Sequence, residues 1–424
     1  MRKPTTIEHL YINFDSFFAS VEQQCDKRLR DRPVGIVPFA GTDRTSVIAS
    51  SKEAKAFGVQ NIMRISEAKA LCPGLILVPQ NSDLYRRAHN ALLCEIETVI
   101  PIDTIKSIDE LACILDECQR RDPEGLARKI KKTIAENIGP YITGSIGFAA
   151  NRQLAKMACK MEKDASKKAG QYGNAVTIWY PYMMPEPLFQ VKLEDIPGVG
   201  RSMAQRLYNN NIYTTEQLYN LRPKHMRQIW HSVIGERLWT ALHGYAVQSQ
   251  KTKRSMFGHA HLLQPENRNI KNAHKISRVL LVKASRRLRR AKYFSCRLWL
   301  WLEIRGGSWS RTIKMPPVND DHAILSAHTI LWDHIKIELT CTTTIFRIRV
   351  NLLDLREINN EQLDIFNSSD VIRQKWKKIN SIMDMLNTKY SRTILHIGEW
   401  SPPTGNHIGD KISHTYLPSA EDFF

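Results

Sequence analysis

The chain has 424 residues, with 61 Lys and Arg against 42 Asp and Glu, a formal net charge of +19 and 42% hydrophobic content. That length exceeds one compact core and predicts three or four domains, while the ordinary apolar content excludes a largely disordered chain. The longest apolar runs, such as Leu298–Leu302, are too short to cross a bilayer, and Met-Arg-Lys-Pro is followed by no apolar stretch, so neither a membrane partner nor a secretory leader is expected.

In chain order, Leu10–Asp15 alternates and reads as a strand, followed by a helix over Phe17–Gln24. Val34–Pro38 and Ser46–Ser50 read as strands, and Lys52–Phe57 as a short helix ended by Gly58. Ser82 stands as an N-cap before a helix carrying Leu84, Ala88, Leu92, Ile96 and Val99. Thr104–Asp109 and Leu111–Leu115 form a hairpin-like pair, Glu124–Asn137 a helix, Ile142–Phe148 a strand and Asn151–Lys168 a long helix. This β-α-β-β-α-β succession, interrupted by an insertion at about residues 20–81, suits a ferredoxin-like sheet.

The Pro-rich Tyr180–Pro187 marks a boundary, residues 188–246 are mostly helical, and the polar, basic 248–256 reads as a linker. Residues 257–355 are expected to begin with a basic helix and continue as strands over Cys296–Ile304, Ser310–Lys314 and Thr344–Leu353. One last helix is expected over Val371–Asn387. The eight cysteines form no CxxC pair and most sit in apolar company, which predicts reduced thiols and a cytoplasmic protein.

Positive charge concentrates between Lys275 and Lys314, where twelve Lys and Arg meet one acid, Glu303. The run alternates with Tyr293, Phe294, Trp299, Trp301 and Trp309, which favours a polyanion-binding face, nucleic acid first, over a merely solvated helix.

Four motifs carry chemistry. Ser107-Ile-Asp-Glu110 places two carboxylates at a tight hairpin, either as a solvated turn or as ligands for Mg2+. In Asn13-Phe-Asp-Ser-Phe-Phe-Ala-Ser-Val-Glu22, residues 13 and 15 share a strand face, so Asp15 is a metal ligand or a helix cap, beside a Phe17-Phe18 wall. Ile196-Pro-Gly-Val-Gly200 follows no strand, so it fits no dinucleotide site; Gly198 and Gly200 suit a helix-hairpin-helix turn that meets DNA phosphates. Asn151–Lys163 is an apolar-striped helix with Lys156, Lys160 and Lys163, of which an end lysine could reach a triphosphate or simply meet solvent.

Together, with Ala54-Lys-Ala-Phe-Gly-Val59, these motifs resemble the Y-family translesion DNA polymerases, the DinB/UmuC group, over about residues 9–358. The resemblance implies a multidomain α+β right-hand polymerase: a ferredoxin-like palm at 8–19 and 82–178, small fingers at 20–81, a helical thumb with a helix-hairpin-helix at 179–247, a linker at 248–256, an α+β little finger at 257–358 and a tail at 359–424. It implies Asp109, Glu110, Asp15 and Asn13 as catalytic residues, with two Mg2+ ions, replaceable by Mn2+, on Asp109, Glu110, Asn13 and the Phe14 carbonyl. Phe18 matches the steric gate against a ribose 2′-OH, and Lys163, Lys55, Lys52 and Phe17 fall at nucleotide-binding positions. DNA contact is expected from Gly198 and Gly200 and from Arg286, Arg287, Arg289 and Arg290.

The expected partners are primer-template DNA, damaged DNA included, deoxynucleoside triphosphates, the replication sliding clamp, and a recombinase or SOS-type accessory proteins. Gln362-Leu363-Asp364-Ile365-Phe366 resembles the bacterial clamp-binding pentapeptide; the alternative is that it packs back on the preceding domain. One departure stands out. The family pattern begins Asp-x-Asp, and its first position here is Asn13, which contributes no negative charge toward two cations. The alternative implied is a weakened or inactive paralogue acting as a clamp-tethered DNA-binding adaptor.

Overall fold

A computed structural model describes residues 2–38, 43, 45–168, 174–247, 253–358 and 370–399. They form two compact units that divide between Ser249 and Gln250. The fold is α+β throughout, with a five-, a four- and a three-stranded sheet.

The first unit is built on the five-stranded sheet. Its strands run, in spatial order, Thr104–Ile105, Glu110–Ile114, His9–Phe14, Gly144–Ala149 and Val176–Ile178. The first four reproduce a βαββαβ sheet with the opening strand at its centre, antiparallel to both neighbours. Alternation along His9–Phe14 sends Leu10, Ile12 and Phe14 to one face, against the helices Ser82–Glu97 and Pro123–Asn137. Tyr11 goes to the other face with Leu154, Ala155 and Ala158 of the helix Arg152–Lys168. That helix sits hard on the sheet because Gly147 lacks a side chain. A Cβ there would lie 2.2 Å from the Ala155 carbonyl oxygen and 2.4 Å from the Cys159 nitrogen.

The insertion is a small sheet of its own, in which Val34–Val37 pairs parallel with Ile76–Pro79 and antiparallel with Ala49–Ser50. Its core is Val37, Val47, Ala54, Val59, Ile65, Ala68, Cys72 and Leu75. Of the strand expected at Ser46–Ser50 only Ala49–Ser50 is regular, with an isolated bridge from Ser46 to Arg64. The cap at Ser82 is corrected by one position: Asn81 Oδ1 accepts the Leu84 N–H, and Ser82 opens the helix. The short helices Arg201–Tyr208, Thr215–Tyr219, Pro223–Trp230 and Val233–Leu242 pack around Leu207, Leu218, Met226 and Leu238.

The second unit is a four-stranded antiparallel sheet in the order Gly307–Val318, Tyr293–Ile304, Ile345–Glu357, Phe257–Leu262. The strand Phe257–Leu262 precedes the basic helix expected to open this unit. Leu298, Leu300, Leu302, Ile348, Val350 and Leu352 face the helices Ile270–Arg290 and Asp321–Glu338. The opposite face carries Trp299 and Trp301, with the Arg349 guanidinium 4.7 Å from the Trp301 ring centre. A final helix, Asp370–Lys389, joins this unit through Asn380, whose side chain accepts from the Asp321 N–H and donates to the Asp321 carboxylate. All eight cysteines are free thiols, and only Cys72, Cys113 and Cys159 are buried, fewer than their apolar neighbours suggested.

Candidate active site

Glu110 begins its strand directly opposite Asn13, so the cross-strand register brings two sequence-distant motifs together. The turn before it is closed by the N–H groups of Lys106 and Ser107, which donate to the Glu110 carbonyl at 2.9 and 3.2 Å. Asp109 is tied in by the Phe14 N–H, which donates to its carbonyl at 2.8 Å, and by the Ser107 hydroxyl, 2.5 Å from Asp109 Oδ1.

Three donors converge on the Glu110 carboxylate. The Tyr11 hydroxyl and the Lys156 ammonium each lie 2.9 Å from Oε2, and Asn13 Nδ2 lies 2.9 Å from Oε1. Burial by itself would raise the Glu110 pKa; Lys156, then Tyr11 and Asn13, outweigh it and hold the carboxyl below its ordinary value. The Tyr11 hydroxyl is pushed far above the ordinary phenol range by its burial and by the Glu110 charge. Tyr11 and Lys156 were not foreseen as site residues. Tyr11 had a signal: it lies two residues before Asn13 on the same strand face.

Asp15 is not the cap of the helix Phe17–Cys25. Ser16 holds that position in the left-handed region at φ 51°, without a side-chain cap bond. The Asp15 carboxylate instead accepts from Ser145 Oγ at 3.1 Å, Thr143 Oγ1 at 3.3 Å and the Asn174 N–H at 2.8 Å, and the residue is 3% exposed. It is therefore held by hydroxyl and amide donors, not by the network around Glu110.

The inserted segment supplies two ammonium groups to the same end of the sheet. Lys52 donates to Thr143 Oγ1 and Lys55 to Ser16 Oγ, each at 2.6 Å. Phe18 is half-buried and stacks on Tyr85, with ring centres 4.3 Å apart and 13° between planes. Phe17 is corrected from a nucleotide contact to a core residue, buried beside Phe14 because helical spacing turns it inward. Lys163 lies on the helix Arg152–Lys168, and its side chain is outside the described residues.

Gly198 sits at φ +100°, a conformation that favours glycine, and a Cβ at Gly198 or Gly200 would meet nothing within 4 Å. Gly200 leads directly into the helix Arg201–Tyr208, so the turn presents open backbone.

The arginines of the second unit are the main correction. Arg286 is 3% exposed and faces Asp384 and Thr393. Arg289 donates to Asp321 Oδ1 and Asp384 Oδ2, each at 2.6 Å. Arg287 donates to the Gly258 carbonyl at 2.6 Å. The final helix covers the face read as a phosphate-binding surface, and its Asp384 takes the charge that phosphate was expected to supply. Among the four, Arg290 is the exposed one. Gln362–Phe366 lie outside the described residues.

Residues 12–160 match the impB/mucB/samB family. The chain is 25% identical over 400 residues to DNA polymerase IV 1 of Bacillus subtilis (strain 168), covering 92% of each chain. It is 26% identical over 402 residues to DNA polymerase IV of Oceanobacillus iheyensis, covering 91% of this chain and 90% of that one. Over a shorter stretch likeness rises: 32% identity over 213 residues to DNA polymerase IV of Staphylococcus haemolyticus, covering 50% of this chain and 56% of that one. In fold, it is similar to a solved Y-family DNA polymerase chimera, with a TM-score of 0.66 at 20% identity over 82% of this chain and 99% of the other. It is also similar to the insertion ternary complex of Dbh DNA polymerase, with a TM-score of 0.56 at 22% identity over 82% and 98%. With its motifs in this order, and with likeness over about nine-tenths of the curated polymerases, the chain reads as a DNA-directed DNA polymerase similar to the DinB-like Y family.

Proposed function

We propose that this translesion polymerase extends a DNA primer by metal-assisted nucleotidyl transfer, without proofreading, from the site formed by Asp109, Glu110, Asn13 and the Phe14 carbonyl. The observation that carries the reading is the register that sets Asn13 against Glu110, with Asp109 bonded to the Phe14 backbone. The donor set is all oxygen, two carboxylates with an amide and a carbonyl, which fits Mg2+ or Mn2+. When bound, two such ions would lower the pKa of the primer 3′-OH and neutralise the triphosphate.

The chain's own residues do the rest. Lys156 and Tyr11 keep Glu110 ionised and fixed in orientation. Lys52 and Lys55, together with Lys163, would meet the triphosphate as point charges. Phe18 would press on the sugar and reject a 2′-OH. Incoming template and primer would be held by the Gly198–Gly200 turn, read as a helix-hairpin-helix, and by the open sheet face with Arg349, Trp299 and Trp301. The regions act as palm, fingers, thumb and little finger in the boundaries given above, in a cytoplasmic protein.

Gln362–Phe366 would tether the chain to the sliding clamp, with a recombinase or SOS-type accessory proteins as further partners. Among the described residues, no helix is long and apolar enough to cross a membrane.

A second reading has one observation in its favour. Asn13 Nδ2 donates to Glu110, so the amide spends its N–H on the carboxylate where the family's aspartate would add charge. That favours weakened turnover and an adaptor role. Primer extension with Mg2+ and with Mn2+ separates the two. The polymerase reading expects metal-dependent extension that Asp109→Ala abolishes; DNA binding without extension in either metal supports the adaptor.

A further inference from the structure

The helix Phe17–Cys25 grips one aromatic residue twice. Phe18 stacks on the Tyr85 ring at 4.3 Å, and Glu22, one turn further on the same helix, accepts the Tyr85 hydroxyl on Oε1 at 2.8 Å. Residues four apart on a helix share a face, so ring and hydroxyl are held by one rigid edge. Tyr85 comes from a different element, the helix Ser82–Glu97, and is fully buried. Glu22 is 9% exposed. Burial pushes its carboxyl above the ordinary value, and the Tyr85 hydrogen bond opposes that rise. A partly exposed ring would otherwise turn between rotamers; here one face of Phe18 lies flat on a buried partner.

We propose that Tyr85 and Glu22 are positioning residues for sugar selection: Tyr85 fixes the plane of the Phe18 ring, and Glu22 fixes Tyr85. Neither touches the nucleotide. This rests on the reading of Phe18 as the gate. Selection by a steric gate needs a wall that does not yield, because a ring free to swing by an ångström would admit the extra hydroxyl. The wall's stiffness is set by the residue behind it.

The test is single-nucleotide insertion on the full chain with a deoxynucleotide and its matching ribonucleotide, reading the ratio of kcat/KM values. Phe18→Ala should cut that ratio by about a thousandfold, and Tyr85→Leu by about tenfold, mostly through a higher ribonucleotide kcat. Tyr85→Phe keeps the stack and loses the hydroxyl bond, and should cost about threefold; Glu22→Gln still accepts that bond and should restore nearly the native ratio, whereas Glu22→Ala should match Tyr85→Phe. In the Phe18→Ala background, Tyr85→Leu should change the ratio by less than about twofold, because it acts only through the ring.

An unchanged ratio in Phe18→Ala overturns the gate itself. A changed ratio there with native ratios in Tyr85→Leu and Glu22→Ala overturns this proposal and leaves the gate standing. So does an additive double variant. Should Tyr85→Leu not fold, Tyr85→Phe and Glu22→Ala decide alone: native ratios in both overturn the proposal.

Discussion

Two charged clusters, one in each unit, are built from similar parts and left in different surroundings. Around Glu110 the carboxylate and the Lys156 ammonium keep 18% and 33% of their side chains exposed. Around Arg289 the guanidinium keeps 11% and its partner Asp321 only 2%. The wetter pair is screened, contributes little to stability and is open to a change of partner. The drier one has no water to fall back on, so each charge depends on the others staying in place. A charge cluster that works must be able to let go, and one that holds must not. The same residue types serve both ends according to what the neighbouring element covers.

The comparison breaks most sharply at Asp109. Asp109→Ala should lower primer extension at least about a thousandfold while leaving the melting temperature near native; a large loss of stability would put that cluster in the holding class. Next comes Arg289→Ala, which leaves the buried Asp321 without its cation and Asp384 with Arg286 at 3.8 Å. It should cost about 3–5 kcal/mol in denaturant unfolding. A cost under about 1 kcal/mol would show that the second cluster is as exchangeable as the first.

Asn13→Asp sharpens the contrast from the other side. It replaces a hydrogen-bond donor to Glu110 by a second negative charge directly across the strand pair. Without divalent ions this should cost about 1 kcal/mol, recovered on adding Mg2+, and kcat should rise about tenfold. A fall in kcat would mark Asn13 as an adapted ligand. Thermal melts in chelator and in Mg2+ separate the two effects.

Lys156→Met tests the electrostatics alone. The Glu110 carboxyl sits below its ordinary pKa, so its ionised form persists at high pH and is lost as pH falls through the depressed value. Removing the ammonium leaves burial unopposed and raises that value, so the acid limb of the kcat/KM profile should move to higher pH. The smallest effect is expected at exposed Arg290: Arg290→Ala should leave stability unchanged and reduce the slope of log affinity against log salt by about one.

The carboxylate pair was legible because Ser107–Glu110 is a local motif: two adjacent acids before an apolar strand need an explanation wherever they lie. Its partners were not. That Asn13 faces Glu110, and that Lys156 reaches across the sheet, are facts of register and helix seating, which residues 97 and 46 positions apart cannot announce. Asp15 was half legible. Its face relative to residue 13 follows from strand alternation, but Thr143, Ser145 and Asn174, which claim its oxygens, come from 128, 130 and 159 positions further along the chain.

The basic helix was misread for a plainer reason. Arg286 and Arg289 show only that a cation is present. What meets it is settled by Asn380 and Asp384, four residues apart on a helix nearly a hundred positions later. Their spacing is the one signal that could have turned the reading.

Gly147 has a consequence for how this enzyme could be lost. The glycine carries no side chain into the site, yet its bare backbone is what the helix Arg152–Lys168 rests on. Any larger residue wedges that helix outward and carries the Lys156 side chain off with it, while every residue with an assigned role keeps its identity. In a mutational survey such a change would sit in the middle of a strand, look conservative on paper as Gly to Ala, and yet silence the polymerase. Inherited inactivity in this lineage is therefore to be sought at the spacer as much as at the acids.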